Sequence, residues 1–466
     1  MSQPVTFTSR AERLLGTGEA AAVDRGMRYM ADRRQMRIDE LPISDGLRDR
    51  ARAVRIHALS HLDRLLGHFA DRVTALGGEV HFASDAAEAN QIIGDILRAE
   101  AAELVVKAKS MVTEEIELNE HLERSGHRVV ETDLGEFIAQ LAGEPPSHII
   151  APVLHKTRRD VGELFAEKLG IEPTDDPVRL NAAAREHLRP VFLQADAGIS
   201  GVNMAVAESG SLVLVTNEGN GRMVTSAPPV HIAVMGMERI VARWEDAGVI
   251  LEVLARSATG QRMSVYTNVV TGPRRDGDPD GPDRLHVVVV DNGRSEILAG
   301  ENAEILACIR CGACLNICPV FRTVGGHAYG TVYSGPVGSV VTPGLHGMDP
   351  WWDLPFASTM CGACQDVCPV RIEIPRMLLN LRRQAVDESR LPGWLGRGLS
   401  AYARAATQPA RWARAKRWAH RLSGFFAARG WLRRVPGPAR GWTRYRDFPR
   451  PAKQSFAEWW ETERET

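Results

Sequence analysis

Apolar residues recur every three to four positions between residues 46 and 76, which is the spacing of an amphipathic helix. Gly77 and Gly78 follow this segment and end the pattern. The preceding residues are charged and helical in pattern, and a break is expected at Pro42 because proline does not continue a helix. The sequence therefore predicts a helical arm over residues 1–46 and one long helix over residues 46–76.

Beyond residue 79 the pattern alternates between strands and helices. Short apolar runs rich in β-branched residues predict strands at residues 80–82, 103–107, 127–131, 210–215, 231–234 and 285–291. Helical periodicity lies between several of them, at residues 86–99, 114–126 and 161–169. This alternation is typical of a parallel α/β sheet that is buried on both faces. Residues 271–284 are rich in Gly, Pro and Asp and predict a loop, after which the last strand is expected to return to the sheet.

The composition is that of a globular protein. The chain has 466 residues, of which 44% are hydrophobic and 25% charged, and its formal net charge is −1. This charge argues against a general nucleic-acid binder. No apolar run approaches the roughly 20 residues of a membrane-spanning helix, and the first residues lack the apolar core of a secretory signal. We therefore expect a cytoplasmic protein, and peripheral docking at the inner face of the membrane is left open.

The cysteines carry the clearest chemical signal, because all seven lie between residues 308 and 368. The first run, CIRCGACLNICP at residues 308–319, has the C-x2-C-x2-C-x3-C-P spacing of bacterial two-cluster ferredoxins. The second run, CGACQDVCP at residues 361–369, repeats it, with Ser358 where the register requires a cysteine. An odd number of clustered cysteines does not suit a disulfide framework, and structural zinc sites normally use two C-x2-C pairs.

The ferredoxin spacing also predicts which cysteines share a cluster, because the fourth cysteine of such a run ligates the other cluster. We expect two iron-sulfur clusters, both of the [4Fe–4S] type. The first has four ligands: Cys308, Cys311, Cys314 and Cys368. The second has three: Cys318, Cys361 and Cys364. Water, Ser358 or His327 is left open as the fourth ligand of the second cluster, as are a three-iron form and a substrate oxygen on the open iron.

The C-terminal segment is strongly basic and rich in tryptophan. Residues 376–450 contain 18 Lys or Arg against three acidic residues, a balance of 18 − 3 = +15. Seven of the ten tryptophans occur here or just beyond, namely Trp394, Trp412, Trp418, Trp431, Trp442, Trp459 and Trp460. Basic residues interleaved with tryptophan suit an anionic membrane surface or an acidic partner. The alternative is a solvated helical pair, and no nucleic-acid-binding module is recognisable, so no nucleic-acid partner is expected.

Three other places are weaker candidates for chemistry. Residues 217–222 (NEGNGR) follow a predicted strand and could bind an anion, although the same residues favour a plain turn. Glu208 precedes Ser-Gly and resembles the catalytic glutamate of CoA-transferases. His148 and His155 flank an apolar step and could meet at a site, although such histidines are more often structural.

Several long segments resemble the lactate utilization protein B family of bacterial iron-sulfur subunits. They include VVETDLGEFIAQLAGEPPSHIIAPVLHK (129–156), GISGVNMAVAESGSLVLVTNEGNGR (198–222), CIRCGACLNICPVFRTVGGHAYG (308–330) and CGACQDVCPVRIEIP (361–375). The resemblance implies an α/β lactate-utilization (LUD) domain, similar in fold to CoA-transferase and sugar-phosphate isomerase domains. A mainly α-helical two-cluster ferredoxin domain and a basic helical C-terminal region would follow. The family pattern also has three cysteines in the second run.

The resemblance implies an electron-transfer subunit of a complex that oxidises L-lactate to pyruvate, with companion lactate-utilization subunits performing the chemistry. The expected division is an arm (1–46), the LUD domain (47–295), the ferredoxin-type domain (296–388) and the basic region (389–466). Two alternatives stay open: a LUD-domain enzyme that acts directly on lactate or an acyl compound, and an iron-sulfur redox sensor. The chain has no G-x-G-x-x-G dinucleotide fingerprint after a strand, which argues against hydride chemistry.

Overall fold

The computed structural model describes residues 6–391, 393–437, 440–444 and 446–464. The chain divides into two compact units, Met1–Gln384 and Ala385–Thr466. None of the helices in the described ranges combines the length and the apolar character that crossing a bilayer requires.

Four helices precede the first strand: α1 (Phe7–Leu14), α2 (Gly18–Asp39), α3 (Ser44–Ser60) and α4 (Leu62–Ala75). The break expected at Pro42 is present, because α2 ends at Asp39 and α3 begins at Ser44. The prediction of one helix over residues 46–76 is wrong in one respect. His61 has φ −130° and separates α3 from α4. The apolar spacing continues across this interruption, so periodicity alone does not reveal it.

The first unit is built on a six-stranded parallel sheet in the order β1-β10-β7-β4-β2-β3. Its strands are β1 (Glu79–Ala83), β2 (Leu104–Lys107), β3 (Arg128–Glu131), β4 (Ala197–Gly201), β7 (Val230–Gly236) and β10 (Arg284–Val290). The parallel α/β prediction is confirmed, and β10 does return to the sheet, between β1 and β7. The inner strands β2, β4, β7 and β10 are largely buried, and β7 is buried at every position, as expected where both faces of a sheet are covered. The edge strand β1 is mostly exposed or half-buried.

Eight helices are interspersed with these strands. They are α5 (Ala86–Ala99), α6 (Met111–Glu115), α7 (Leu118–Arg124), α8 (Leu134–Ala142), α9 (Arg158–Leu169), α10 (Pro177–Gln194), α11 (Asn220–Ser226) and α12 (Trp244–Thr259). The predicted helix over residues 114–126 is instead α6 and α7, because Glu117 adopts a left-handed conformation (φ 52°) between them. Close packing requires glycine on β4, where a Cβ at Gly198 would lie 2.0 Å from the carbonyl oxygen of Val224.

A second sheet was not predicted from the sequence. It has four strands in the order β8-β5-β6-β9: β5 (Met204–Val206), β6 (Ser211–Thr216), β8 (Ile240–Val241) and β9 (Tyr266–Val270). Only β6 corresponds to a predicted strand. β5 and β8 have three and two residues, which is too short for an alternating pattern to emerge.

The cysteine region is helical and belongs to the same unit as the sheets. It contains α13 (Arg294–Ala299), α14 (Ala313–Ile317), α15 (Pro319–Val324), α16 (Gly335–His346), α17 (Ala363–Asp366) and α18 (Ile374–Asp387). Arg34 on α2 donates to the carbonyl oxygen of Val367, and Arg48 on α3 donates to that of Cys368. The N-terminal helices are therefore packed against the second cysteine run.

The second unit is mainly helical, with α19 (Gly393–Ala406), α20 (Pro409–Ser423), α21 (Arg440–Thr443) and α22 (Phe456–Glu463). A small antiparallel sheet adds β11 (Ala427–Ala428), β12 (Trp431–Leu432) and β13 (Phe448–Pro449). None of the residues of α19, α20 or α22 is buried. The predicted basic helical region is confirmed as to its fold, and the side chain of Trp442 lies outside the described set.

Candidate iron-sulfur centres

The two cysteine loops share one backbone geometry. In the first loop Cys311 lies between Arg310 (φ 58°) and Gly312 (φ 74°), and in the second Cys361 lies between Met360 (φ 57°) and Gly362 (φ 85°). A left-handed conformation at Arg or Met is unfavourable and persists only where the surroundings impose it. Alternation of left- and right-handed residues turns backbone N–H groups into a concave nest that binds anions. Each loop is therefore shaped to surround an anionic group.

Backbone N–H groups also point at the sulfur atoms. The N–H of Arg310 donates to Cys308 Sγ (N···S 3.3 Å), and the N–H of Ile372 donates to Cys368 Sγ (3.4 Å). All seven cysteines are free of disulfides. Hydrogen bonds from backbone N–H groups to cysteine sulfur are characteristic of iron-sulfur sites, where they adjust the reduction potential.

The electrostatic interactions among the thiols fall largely into two sets. Burial, followed by repulsion from the neighbouring Cys308 and Cys368, raises the pKa of Cys311 to about 12. Burial, followed by repulsion from Cys318 and Cys361, likewise raises the pKa of Cys364 to about 12. Cys368 therefore lies near Cys311, and Cys318 lies near Cys364.

Cys314 interacts with members of both sets. Burial is the main cause that raises the pKa of Cys314 well above the usual value. Repulsion from Cys308 and Cys311 raises it next, and repulsion from Cys364 and Cys368 contributes less. Thiols in such an environment stay protonated unless a cation binds them, and metal coordination supplies that cation.

The spacing of the sulfur atoms distinguishes a cluster from a single zinc ion. With Zn–S bonds of about 2.3 Å, the sulfur atoms of a tetrahedral zinc site lie about 3.8 Å apart. Within the described ranges, no three of the cysteine sulfur atoms lie within 4.8 Å of one another. The thiols are thus spread more widely than a mononuclear site requires, which fits a larger cofactor.

A buried charged network lies beside Cys308. It consists of the side chains of four arginines and two glutamates, Arg55, Arg239, Arg294, Arg310, Glu115 and Glu238, all of which are buried or nearly so. Arg294 binds both glutamates, with Nη2 2.7 Å from Glu115 Oε2 and Nε 2.7 Å from Glu238 Oε2. Arg239 Nη1 donates to the carbonyl oxygen of Cys308 (3.3 Å).

The four arginines and two glutamates of this network have a net charge of 4 − 2 = +2. Uncompensated buried charge is costly. A [4Fe–4S] cluster bound by four thiolates carries about two negative charges in its oxidised form, so the surroundings of Cys308 fit it. The sequence carries no sign of this network, because its members are scattered between residues 55 and 310 and share no motif.

The comparisons with known proteins agree with this geometry. The LUD domain family matches residues 66–290, a 4Fe-4S dicluster domain matches residues 304–372, and the C-terminal domain of lactate utilisation protein B matches residues 398–465. Lactate utilization protein B from Oceanobacillus iheyensis is 47% identical over 408 residues, which cover 87% of this chain and 85% of that protein. The corresponding protein from Bacillus subtilis (strain 168) is 44% identical over 447 residues, which cover 96% and 93%. The chain belongs to the lactate utilization protein B family.

Membership of this family confirms the resemblance seen in the sequence, together with the LUD fold and the 4Fe-4S character of the cysteine region. It also gives the chain a role in lactate utilization.

A solved structure of a DUF162 family protein from Deinococcus radiodurans aligns with 49% of this chain and 98% of that one, at 18% identity and a TM-score of 0.28.

The candidate fourth ligands of the second cluster differ in whether their ligand atoms already have hydrogen-bond partners. Both ring nitrogens of His327 are occupied, Nδ1 by Glu19 Oε1 (2.8 Å) and Nε2 by the carbonyl oxygen of Pro145 (3.0 Å). Ser358 is next to the second loop, where its Oγ accepts the N–H of Met360 (3.1 Å). The structure therefore favours Ser358 or water over His327.

The two other histidines and Glu208 have structural contacts. His148 Nδ1 accepts two backbone N–H groups, and burial lowers its pKa to about 3, which keeps the ring neutral. His155 is held between Ser147 Oγ (2.8 Å) and Glu144 Oε2 (2.9 Å). Glu208 Oε1 accepts the N–H of Trp244 at the start of α12 (2.7 Å). These contacts give His148, His155 and Glu208 structural roles, and none of the three residues needs a catalytic role to explain its position.

A cavity of about 390 Å³ lies beside the first cysteine loop, and we call it the edge cavity. The polar residues of its wall include Lys109, Asp133, Glu218, Asn220, Arg239 and Arg310. The candidate segment 217–222 contributes Asn217, Glu218, Asn220 and Gly221 to this wall but not Arg222, which is exposed and 3.8 Å from Asp280. Asn220–Arg222 form the first turn of α11 and not a free loop.

Proposed function

We propose that the chain carries electrons during oxidation of L-lactate to pyruvate, as a subunit of a complex with companion lactate-utilization proteins. The observation that carries this proposal is the pair of cysteine loops with matching left-handed turns at Arg310 and Gly312 and at Met360 and Gly362. Two adjacent iron-sulfur sites are the arrangement through which ferredoxin-type proteins pass single electrons. The name of the family supplies the metabolic context.

The proposed ligation is crossed, and both clusters are of the [4Fe–4S] type. The first site uses Cys308, Cys311, Cys314 and Cys368, and the second uses Cys318, Cys361 and Cys364. When bound, the clusters supply one-electron redox chemistry. The chain's own residues hold them through thiolates, donate backbone N–H groups to sulfur and, beside Cys308, place arginines that favour the more negative, reduced state.

Reversible reduction of the isolated chain tests electron carriage. Anaerobic protein titrated with dithionite should take up about two electrons, one per cluster, and return them to an oxidant. Uptake without return would point to cluster loss. L-Lactate alone should leave the isolated chain oxidised. Bleaching by L-lactate alone would favour the alternative function, direct lactate oxidation in the LUD domain, to which the edge cavity gives access.

Metal analysis tests the cofactors. We expect about seven to eight iron atoms per chain after anaerobic purification, with a matching amount of acid-labile sulfide, because two clusters of four irons share seven thiolates. Exposure to air should first remove iron from the site with three cysteines, since its open iron has no thiolate. Stoichiometric zinc without sulfide would contradict the iron-sulfur assignment.

We further propose that the second unit docks on an anionic membrane surface. Helix α20 presents arginines alongside large exposed apolar side chains such as Trp418, which is 59% exposed. Cationic side chains with tryptophan suit the interface of an anionic bilayer. Helices α19, α20 and α22 of this unit bury none of their residues, so their apolar side chains are accessible.

Vesicle binding tests the docking proposal. Replacing the four exposed arginines of α20, Arg411, Arg414, Arg417 and Arg421, by glutamine should weaken binding to vesicles containing anionic lipid about a hundredfold or more, because each contributes about 1 kcal/mol. The matched control replaces four exposed arginines of the first unit, Arg98, Arg159, Arg179 and Arg284. If both sets of substitutions weaken vesicle binding equally, or if salt does not affect vesicle binding, the docking proposal is wrong and the second unit is a solvated helical region.

A further inference from the structure

The two strands at one edge of the six-stranded sheet bring three metal-ligating side chains together. Strand β1 pairs in parallel with β10, so that Glu79 lies opposite His286 and His81 lies opposite Val288. Side chains alternate between the faces of a strand, which places Glu79 and His81 on one face. The ligand atoms of Glu79, His81 and His286 all lie within 4.8 Å of one another. This group is at the amino-terminal end of the strands, opposite the end that the edge cavity adjoins.

The distances within this group match a tetrahedral metal site. His81 Nε2 is 3.3 Å from His286 Nδ1, and Glu79 Oε2 is 3.9 Å from the same nitrogen. With Zn–N bonds of about 2.0–2.1 Å, the ligand atoms of a tetrahedral zinc site lie about 3.3–3.4 Å apart. The two ring nitrogens already have this spacing. The side chain of Glu79 is 59% exposed, so a small rotation brings its carboxylate to the same distance.

A hydrogen bond between the two rings is the simpler explanation of their approach. Such a bond uses one proton between His81 Nε2 and His286 Nδ1, and 3.3 Å is long compared with the roughly 2.9–3.0 Å that is usual for N–H donors. It also leaves the carboxylate of Glu79 without a part in the arrangement. A metal ion uses one atom of each of the three side chains, and therefore accounts for all of them.

The surroundings of the three side chains leave room for a cation. The other charged side chains near His286 are Arg284 and Glu100, which form an ion pair with each other (3.1 Å). Glu79 therefore contributes an uncompensated negative charge. Two histidines with one carboxylate form a donor set of zinc sites that keep a position open for water. Because the side chain of His286 is buried and that of Glu79 is exposed, this position would face solvent.

We propose that Glu79, His81 and His286 bind one Zn²⁺ ion, which links the edge strand β1 to β10. Imidazole ligands favour zinc and similar transition metals over Mg²⁺ and Ca²⁺, which prefer oxygen. His286 Nε2 is buried without a hydrogen-bond partner in the described part of the chain. Ligating histidines usually donate this second N–H, so we expect a Kd of about 1–10 μM and not tighter. The site uses no cysteine and is separate from electron carriage.

Titration of the full-length, anaerobically purified protein with Zn²⁺ tests this site. Calorimetry should show about one Zn²⁺ bound per chain, in addition to the iron and sulfide of the clusters. X-ray absorption at the zinc edge should give zinc–ligand distances of about 2.0–2.1 Å, which are those of nitrogen and oxygen, because zinc on cysteines has Zn–S distances of about 2.3 Å. The EPR signals of the dithionite-reduced clusters should stay unchanged.

Two variants and one control locate the site. His81→Ala should weaken Zn²⁺ binding about a hundredfold or more, because loss of a ligand costs at least as much as loss of a residue that orients one. Glu79→Gln should weaken it about tenfold or more, since an amide is not a usual zinc ligand. Glu79 is exposed, so this variant decides the matter if His81→Ala does not fold. His57→Ala is the control, because it disrupts another histidine pair, His57 and His61, with ring centroids 4.5 Å apart, and it should bind Zn²⁺ normally.

The proposal is overturned if the protein binds no Zn²⁺ up to about 100 μM, well above a micromolar Kd. It is also overturned if the zinc–ligand distances are mainly those of sulfur, or if Glu79→Gln binds Zn²⁺ normally. Loss of binding in His57→Ala would place the ion at the other histidine pair. None of these results depends on redox activity, so failure of this site is distinguishable from failure of the electron-transfer proposal.

Discussion

Replacing Cys318 by serine should abolish the second cluster and leave the first intact, although Cys318 belongs to the first cysteine run. The second site has only three thiolates, so this change leaves two, whereas the first site keeps all four. The electrostatic contacts of Cys364 with Cys318 and Cys361 support this assignment. We expect loss of about four irons per chain and loss of one of the two EPR signals of the reduced protein.

Cys368→Ser is the matched control, because it removes the equivalent cysteine of the other run. It should damage the cluster held by Cys308, Cys311 and Cys314 and spare the other. Its effect should be milder than that of Cys318→Ser, since three thiolates remain. If Cys368→Ser instead removes the signal that depends on Cys361 and Cys364, ligation is not crossed.

Replacing Arg294 by leucine should strongly destabilise the first unit. Arg294 is fully buried and binds Glu115 through both carboxylate oxygens and Glu238 through one. Its loss leaves two buried carboxylates without their main counter-ion, which typically costs about 3–5 kcal/mol. Urea denaturation of the anaerobic protein, followed by circular dichroism, should show this loss in the free energy of unfolding.

Arg284→Leu is the control for this experiment. Arg284 forms a 3.1 Å ion pair with Glu100 but is 59% exposed, and exposed pairs contribute about 0–1 kcal/mol. Arg294→Lys should recover only part of the stability, because an ammonium group cannot bind two carboxylates in the guanidinium geometry. A cost for Arg294→Leu no larger than that for Arg284→Leu would show that the network is not essential to stability.

The features predicted from the sequence are those with a local signal. The helix Ala86–Ala99 has the predicted bounds, because Asp85 caps it and its apolar residues are regularly spaced. The return of β10 to the sheet is confirmed, since its valine run suits burial between two strands. The iron-sulfur character of the cysteine region follows from spacing alone. The division into four parts and the assignment of individual cysteines to clusters stay predictions.

The features that were missed depend on contacts distant in sequence. The helix breaks at His61 and Glu117 leave the apolar spacing unchanged, so no periodicity marks them. The second sheet forms from strands as short as β8, which acquires its structure from β5 and not from its own sequence. The charged network beside Cys308 joins α3, α13 and the first cysteine loop, and the edge cavity exists only once the loop meets the sheet.

The most direct test of electron carriage is anaerobic EPR on the chain together with its companion subunits, before and after addition of L-lactate. Signals from both clusters should appear after L-lactate at the amplitudes that dithionite produces, and they should fail to appear when the companion subunits are omitted. If dithionite reveals both clusters but L-lactate reduces neither in the complete mixture, the chain does not carry electrons from lactate.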